Sequence, residues 1–575
     1  MEDDKADRVS AHELDNWPPP TKSPASGDVV AEEALGNDLP QGYFTSVHFI
    51  ATLSAGGLGC LSGYLGWSLA ANSLTFINDA LGPSPDFLWL PLAYTLCNAV
   101  ASVLVGRISD IFGRRWFLLV GHCLALVGAI LGATAQTINT MVGSNVLIGT
   151  AAAAQFAHIF FLPELVPKKA RGLAIGSCYA VAVPGSCFGP IIAKAFISRN
   201  PHDGWRWSYY LMIITTSITI ALMYLYYHPP TFSMLHVTNT KMQKIRALDY
   251  GGIVLFSGGF ILFLLGINWG GVFHPWKSAR VIACIVVGCL MIIGFCVYEA
   301  YIPSDPLIPL SIMKNTEFMM IVLVACAGGM IYYSMTVLWP TMCTLFTDDI
   351  LYNGWLSMSV SGGFSLGTIV CSITFGFGRV RWQLMAAVVI FVVFVGAEAA
   401  TTQYTKNMSV AFAIVGLFFA GFTEGLVNAT VSFTVPAEDI GLAVGVSNGL
   451  RVLAGGVATA IYNSIMTNQQ AKLHARDIPP AVLDAGLPRS SLATLMSVVA
   501  SGGSTASLQK IPGVTSTVLA ALANAEKDAL AGSVKLVFLV SLAFGGVGIV
   551  ATFFIKNVDS QLNNVVNRRL HGRSR

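Results

Sequence analysis

The chain has 575 residues, of which 54% are hydrophobic and only 11% charged, where a soluble chain carries about 25% charged residues. That composition excludes a set of soluble domains with polar surfaces and leaves lipid to face much of the molecule. A formal net charge of +3 supplies no basic field, so nucleic acid is excluded as a partner.

In chain order, residues 1–43 are polar, with Pro18-Pro19-Pro20 and scattered acids. They lack the basic and apolar regions of a signal peptide and read as a disordered cytosolic arm. Stretches apolar enough to cross about 30 Å of hydrocarbon then fall near 45–68, 88–106, 116–136, 141–162, 173–196 and 207–227. Eight more lie near 250–269, 279–299, 318–346, 354–377, 382–401, 408–433, 441–466 and 533–555. The expected architecture is an all-α membrane protein of fourteen transmembrane helices. It has an N-terminal six-helix bundle (44–228), a cytosolic linker (229–249), two additional helices (250–300), a C-terminal six-helix bundle (301–556) and a basic cytosolic tail (557–575). Residues 467–532, with Pro479-Pro480, Gly486, Pro488, Gly502-Gly503 and Pro512-Gly513, read as an extracellular loop within the second bundle.

Lys and Arg concentrate in cytosolic loops of membrane proteins. With the N-terminus inside, the short inner loops and tail hold Arg107, Arg114, Arg115, Lys168, Lys169, Arg171, Lys241, Lys244, Arg246, Lys314, Arg379, Arg381, Lys556, Arg568, Arg569, Arg573 and Arg575. The short outer loops hold only Arg199, Arg206, Lys277, Arg280 and Lys406. Both termini are therefore expected in the cytosol. All eleven cysteines lie in apolar stretches with no C-x-x-C pair, so no zinc site, other metal centre or redox motif is implied. The chain has no nucleotide-binding P-loop, no G-x-S-x-G and no H-E-x-x-H. Neither catalysis nor a cofactor is expected, and energy must come from an ion or cargo gradient.

Two motifs carry mechanism. Between spans 2 and 3 stands Gly106-Arg107-Ile108-Ser109-Asp110-Ile111-Phe112-Gly113-Arg114-Arg115. Gly106 and Gly113 permit close helix approach and a tight turn, and Asp110 can accept at a helix end or pair with an Arg. Such a loop can latch two halves on the cytosolic side. In span 5, Gly185-Ser186-Cys187-Phe188-Gly189-Pro190 combines small residues with a helix-bending proline; ordinary small-residue packing is the alternative.

The first motif resembles the signature loop of the major facilitator superfamily. The second resembles, in part, the motif of its drug/proton antiporters, whose usual Gly pair is here replaced by Ala193-Lys194. The resemblance implies two six-helix halves rocking around a central cavity, with the two extra helices between them. The antiporter pattern also has an Arg four residues before a Gly in span 4; here Asn145 precedes Gly149, so a proton carrier must be sought elsewhere. Phe76-Ile77-Asn78, Gly82-Pro83-Ser84-Pro85, Asn145-Val146-Leu147-Ile148-Gly149, Glu164-Leu165-Val166-Pro167, Trp269-Gly270-Gly271, Pro275-Trp276-Lys277-Ser278, Tyr332-Tyr333 and Ala460-Ile461-Tyr462 resemble the fungal trichothecene-efflux-pump group. That branch also includes siderophore transporters.

Ionisable groups inside the bilayer are expensive and therefore functional candidates. Glu424 and Arg451 each fall about 14–15 Å from the inner end of their spans at 1.5 Å per residue. They could pair structurally, or Glu424 could face the cavity and titrate. Glu398 and Lys194 lie near outer helix ends, where the surface is within reach. His158, with Gln155 on the same face, is a proton relay or a satisfied interior histidine. Glu164 and Asp249 sit at helix ends and suit capping or latch contacts. Trp67, Tyr94, Tyr179, Tyr332, Tyr333 and Trp339 are candidates to line the pore.

The expected function is proton-coupled efflux of a fungal toxin, secondary metabolite or drug. The alternative is proton-coupled uptake of ferric siderophores. The expected partners are a small-molecule cargo, protons and lipid, and the expected form is a monomer in the plasma membrane, with the vacuolar membrane as the alternative. Epitope tags at the two ends should bind antibody only after permeabilisation of intact cells; exposure of either end on unpermeabilised cells contradicts the charge reading.

Overall fold

Helices long and apolar enough to cross a bilayer number fourteen among the described residues of the computed structural model. It describes residues 42–562 except 83, 85–86, 88, 230–241, 244–245, 247, 271–273, 304–305, 437–438 and 501–504. The disordered arm expected over 1–43, all but its last two residues, and the basic residues of the C-tail lie outside the described residues. The spans are α1 (Val47–Leu69), α2 (Trp89–Ser109), α3 (Arg114–Ala133), α4 (Ile138–Leu165), α5 (Lys168–Arg199), α6 (Arg206–Tyr226) and α7 (Tyr250–Trp269). They continue as α8 (Ala279–Tyr301), α9 (Thr316–Leu345), α10 (Ile350–Phe377), α11 (Val380–Ala400), α12 (Lys406–Val431), α13 (Ile440–Asp484) and α14 (Ser516–Phe553).

Helix is the form that satisfies every backbone N–H and C=O inside one segment, as hydrocarbon requires. Side-chain caps then close the helix ends at the interfaces. Ser46, Thr137, Asp249, Asn315, Asp349 and Thr515 each accept from a first-turn amide of the helix they begin.

The two six-helix blocks repeat one packing pattern. In the first, α1 packs on α5 and α6, α4 on α2 and α3, and α3 on α6. In the second, α9 packs on α13 and α14, α12 on α10 and α11, and α11 on α14. Each pairing in one block thus has its counterpart eight helices later, an internal structural repeat of the kind the resemblance implies.

The halves meet along two seams, α2 on α13 and α5 on α10. Both are built from residues without bulk. A Cβ on Gly106 would lie 2.6 Å from the Leu442 Cα, one on Gly445 2.7 Å from the Ser102 carbonyl oxygen, and one on Gly449 2.3 Å from a Val103 methyl. On the second seam Gly172 faces Phe375, Gly176 faces Ser372 and Gly354 faces Ile191. The additional pair, α7 and α8, pack on each other, and α7 reaches α2 and α13. It therefore covers the first seam and leaves the second bare.

One expectation is corrected. Residues 467–532 are not a loop: α13 runs unbroken for 45 residues through Pro479 and Pro480. That is about 67 Å at 1.5 Å per residue, more than twice the hydrocarbon thickness. With helices Arg489–Ala500 and Thr505–Leu508 and the first turns of α14, it forms a cap with its own core of Ile478, Val482, Leu487, Leu495, Leu508, Ile511, Val518 and Leu522. Pro479, Pro480, Gly486, Pro488 and Pro512-Gly513 punctuate this helical cap instead of dissolving it, and Gly502-Gly503 lie outside the described residues. The cap adds no crossing.

Because backbone, not a flexible tip, meets the Cβ at Gly445, Gly445→Ala should destabilise by about 1–3 kcal/mol. Gly294→Ala on α8, whose Cβ meets nothing within 4 Å, should not destabilise. Thermal unfolding of the purified protein, followed by intrinsic fluorescence, reads the difference; equal midpoints for both variants contradict the seam.

Candidate functional site

At the centre, between the two seams, the halves enclose a cavity of about 30 Å³, room for one or two water molecules and nothing larger. Its lining is aromatic, from Tyr64, Trp67, Tyr94, Phe156, Tyr179, Tyr332 and Tyr333, with Ile159 and the polar set Asn98, Glu424, Asn448 and Arg451. The rings interlock across the halves: Trp67 of α1 stacks on Tyr94 of α2 at 5.1 Å and meets Tyr333 of α9 edge-on at 5.7 Å. Tyr332 packs against Phe364 of α10 at 4.1 Å. Of the six aromatics singled out in the sequence, five line this chamber. Trp339 does not: its Nε1 donates to the Leu356 carbonyl at 3.1 Å, deep between α9 and α10.

Glu424 and Arg451 come together here. Arg451 Nε stands 2.7 Å from Glu424 Oε2, the arginine carbon lies 5.6 Å from the Tyr333 ring centroid, and Asn428 donates to Glu424 Oε1 at 3.0 Å. Arg451 also reaches the Asn448 side-chain oxygen at 3.3 Å. Asn448 then donates across the seam to Ser102 at 3.1 Å, and Ser102 donates to Asn98 at 3.2 Å. The acid is thus wired by hydrogen bonds to the opposite half. Asn98, Ser102, Asn428 and Asn448 were not singled out by sequence reasoning; their signal was a set of amide and hydroxyl side chains at the depth of the two charges.

The other candidates lie elsewhere. Asn145 donates to the Met141 carbonyl of its own helix at 3.0 Å, and its neighbour Ser144 bonds the Gly128 carbonyl of α3; neither lines the chamber. His158 is buried with its ring edge-on to Tyr179 at 5.4 Å, just behind the chamber wall. Glu398 accepts from Thr401 at 2.7 Å, and Thr401 bonds Ser409 at 2.6 Å, a closed network tying α11 to α12. Lys194 lies over the Phe76 ring at 5.0 Å and is remote from the central acid.

Both motifs sit where the halves touch. Arg107 donates to the Pro306 carbonyl at 2.6 Å and to Leu307 at 3.5 Å, reaching across from α2 to the segment that leads into α9. Arg114 pairs with Glu164 at the end of α4, and Arg115 donates to the Tyr224 carbonyl of α6 at 2.7 Å. These two bonds lie within the first half around Gly113, whose φ of 87° gives the tight turn only glycine adopts freely, while the Arg114 guanidinium also stands against Gly441 of α13. The side chain of Asp110 lies outside the described residues. A further contact at this end is Arg171, fully buried, which donates to Ser432 Oγ at 2.7 Å and lies over the Phe433 ring. In α5 the helix breaks between Ser186 and Gly189. Gly185 and Gly189 face Leu61 and Ser68 of α1, and Pro190 begins the second segment. Ser186 and Cys187 cross the seam to Ser365 and Ser361. The chamber between the halves is of water size in this conformer.

A family model described as fungal trichothecene efflux pump (TRI12) matches residues 26–575. The chain is 30% identical over 547 residues to the trichothecene efflux pump TRI12 of Fusarium sporotrichioides, covering 93% of this chain and 90% of that protein. It is 28% identical to the pump of that name from Trichoderma arundinaceum, covering 96% and 93%. Among solved structures, the proton:xylose symporter XylE of the major facilitator superfamily aligns with a TM-score of 0.56 at 14% identity, covering 91% of this chain and 99% of that one. That last likeness bears on fold alone.

A buried ion pair broken on one side leaves an uncompensated charge. Glu424→Ala and Arg451→Ala should each destabilise by about 3–5 kcal/mol, while Glu424→Met with Arg451→Met together should recover most of the loss. Thermal melts of the four proteins decide; additive losses contradict a direct pair.

Proposed function

Because the chain belongs to the fungal trichothecene efflux pump family, with fourteen candidate spans and the major facilitator fold, we propose that it exports a hydrophobic fungal toxin or related secondary metabolite unchanged in exchange for protons. In this reading it is a monomer in the plasma membrane, with both termini and the Arg107 end in the cytosol. The observation that carries the proposal is the union of an aromatic chamber with one buried acid whose cation is a neighbour on the same half.

The chemistry runs as follows. Aromatic faces hold a flat apolar cargo through packing and ring quadrupoles without demanding a fixed set of hydrogen bonds. Glu424 pairs with Arg451 and accepts from Asn428. A proton reaching Glu424 from the outer side cancels its charge and frees Arg451. The same event loosens the Arg451–Asn448–Ser102 chain between the halves, so protonation and rocking are linked through contiguous bonds. Loss of the proton on the inner side remakes the pair and resets the cycle. Cargo and proton then compete for one chamber, the minimal requirement for exchange.

Glu424→Gln keeps the size and most hydrogen bonds while removing the titration. In proteoliposomes carrying a pH gradient, wild-type protein should drive a trichothecene against its concentration gradient. The variant should lose that uphill movement by at least tenfold yet retain downhill exchange. Uphill transport by the variant contradicts the role given to Glu424. Failure of wild-type protein to move a trichothecene under either polarity contradicts the cargo class.

A further inference from the structure

A second buried acidic site lies at the Arg107 end, where the additional helices meet the first seam. Asp249 caps α7, with its Oδ1 accepting from the Gly252 amide at 2.7 Å. Glu299, two residues before the end of α8, accepts from the Ile308 amide at 2.5 Å through Oε1. Each carboxyl is more than nine-tenths buried. Among the described residues, the second oxygens, Asp249 Oδ2 and Glu299 Oε2, have no hydrogen-bond partner. They converge: a Cβ placed on Gly252 would lie 2.0 Å from the first and 3.0 Å from the second. Two bare anionic oxygens held that close out of water repel strongly, whereas one proton shared between them satisfies both. Among the described residues, the other titratable groups facing the pair are the Tyr298 hydroxyl, beside Asp249, and the Arg107 guanidinium, beside Glu299.

The position gives that proton a consequence. Arg107 from α2 and Glu299 from α8 grip the same tripeptide, Pro306-Leu307-Ile308, which leads into the C-terminal half. We propose that Asp249 and Glu299 form a proton-binding site that sets whether Arg107 holds this tripeptide and so latches the halves together. With one shared proton the pair carries a single negative charge, balanced by Arg107. Release of the proton to water doubles the negative charge and draws the guanidinium off the Pro306 and Leu307 carbonyls. The latch is closed when the pair is protonated and open when it is not. The inference depends on alternating access about the seams but not on the cargo or on the role of Glu424.

Two measurements on the full-length protein in lipid test it. Infrared difference spectra of wild type against Glu299→Gln, and against Asp249→Asn, should each show loss of one protonated-acid C=O stretch at neutral pH. Asn preserves the helix cap, so the second variant guards against a folding defect in the first. Loss of carboxylate bands alone overturns the shared proton. Hydrogen–deuterium exchange of the peptide 306–315, corrected for the intrinsic pH dependence of exchange, should rise several-fold in wild type from acidic to alkaline conditions. In Glu299→Gln it should stay at the protected level throughout, since the remaining carboxylate and Arg107 balance. A wild type insensitive to pH, or a variant that keeps the wild-type dependence, overturns the latch.

Discussion

Lipid gives helices no hydrophobic reason to associate, so two bundles that must slide can be held only by close packing and a few polar contacts. The two seams obey that constraint. Gly106, Gly445 and Gly449 on one side and Gly172, Gly176 and Gly354 on the other let backbones approach to distances at which a methyl group collides. Among the described residues the hydrogen bonds that cross are few and local: Asn448 to Ser102, Arg107 to the Pro306 and Leu307 carbonyls, Arg171 to Ser432, Ser361 to the Cys187 carbonyl and Ser365 to Ser186. Each is modest, about 0.5–1.5 kcal/mol for the neutral bonds and about 1.5–3 kcal/mol for those made by an arginine. They can be exchanged for alternative partners without a large barrier, whereas the bulkier packing inside each half persists. A stiff half and a weak seam together produce rocking instead of general deformation.

The chamber lies where these weak seams converge, and its charges follow from that. Glu424 and Arg451 both belong to the C-terminal half, so their bond does not by itself hold the halves together. The link to the other half passes through Asn448 and Ser102. An ion pair spanning the seam would resist rocking with its full strength; one confined to a single half, with an amide as messenger, transmits a change of charge without locking the bundles. The aromatic wall complements this arrangement because rings from α1, α2, α9 and the neighbouring helices can re-stack as the walls move.

The spans were legible in the sequence because a bilayer imposes both length and composition, and the observed helices begin and end within a few residues of most expected bounds. The central ion pair was legible for a similar reason: two charges at equal depth in adjacent spans have few places to go. Directions around each helix were not. Where one face meets lipid and the other meets protein, both are apolar, so the periodicity that orients a soluble helix is faint. That is why Trp339 and Asn145 were candidates although they turn away from the chamber, and why Tyr64 and Phe156 were passed over. Residues 467–532 failed for the opposite reason. Their turn-forming residues suggested a loop, but Pro479 and Pro480 sit near the end of α13, and the apolar residues of three short segments close a core of their own. Asp249, fifty residues from Glu299 at the end of a different span, looked like an isolated cap, and Glu299 was not singled out at all.

The additional helices give the repeat its asymmetry. Without them the two seams would be near equivalents, each a first-half helix on a second-half helix. With them, the α2–α13 seam has α7 along its outer side, while α8 packs chiefly on α7 and otherwise faces outward. In lipid an apolar helix gains little by leaving its neighbours for acyl chains, and little by staying. The attachment of α8 to the transporter core therefore rests heavily on polar contacts at its end, where Glu299 takes the Ile308 amide. A pair so attached moves with whichever half holds that end most firmly. Because Ile308 leads into α9, that is the C-terminal half, and motion of α2 past α13 must also be motion of α2 past α7. The covered seam thus carries two sliding surfaces, α2 on α13 and α2 on α7, where the bare seam carries one, and Arg107 stands at the end where those surfaces meet the segment leading into α9.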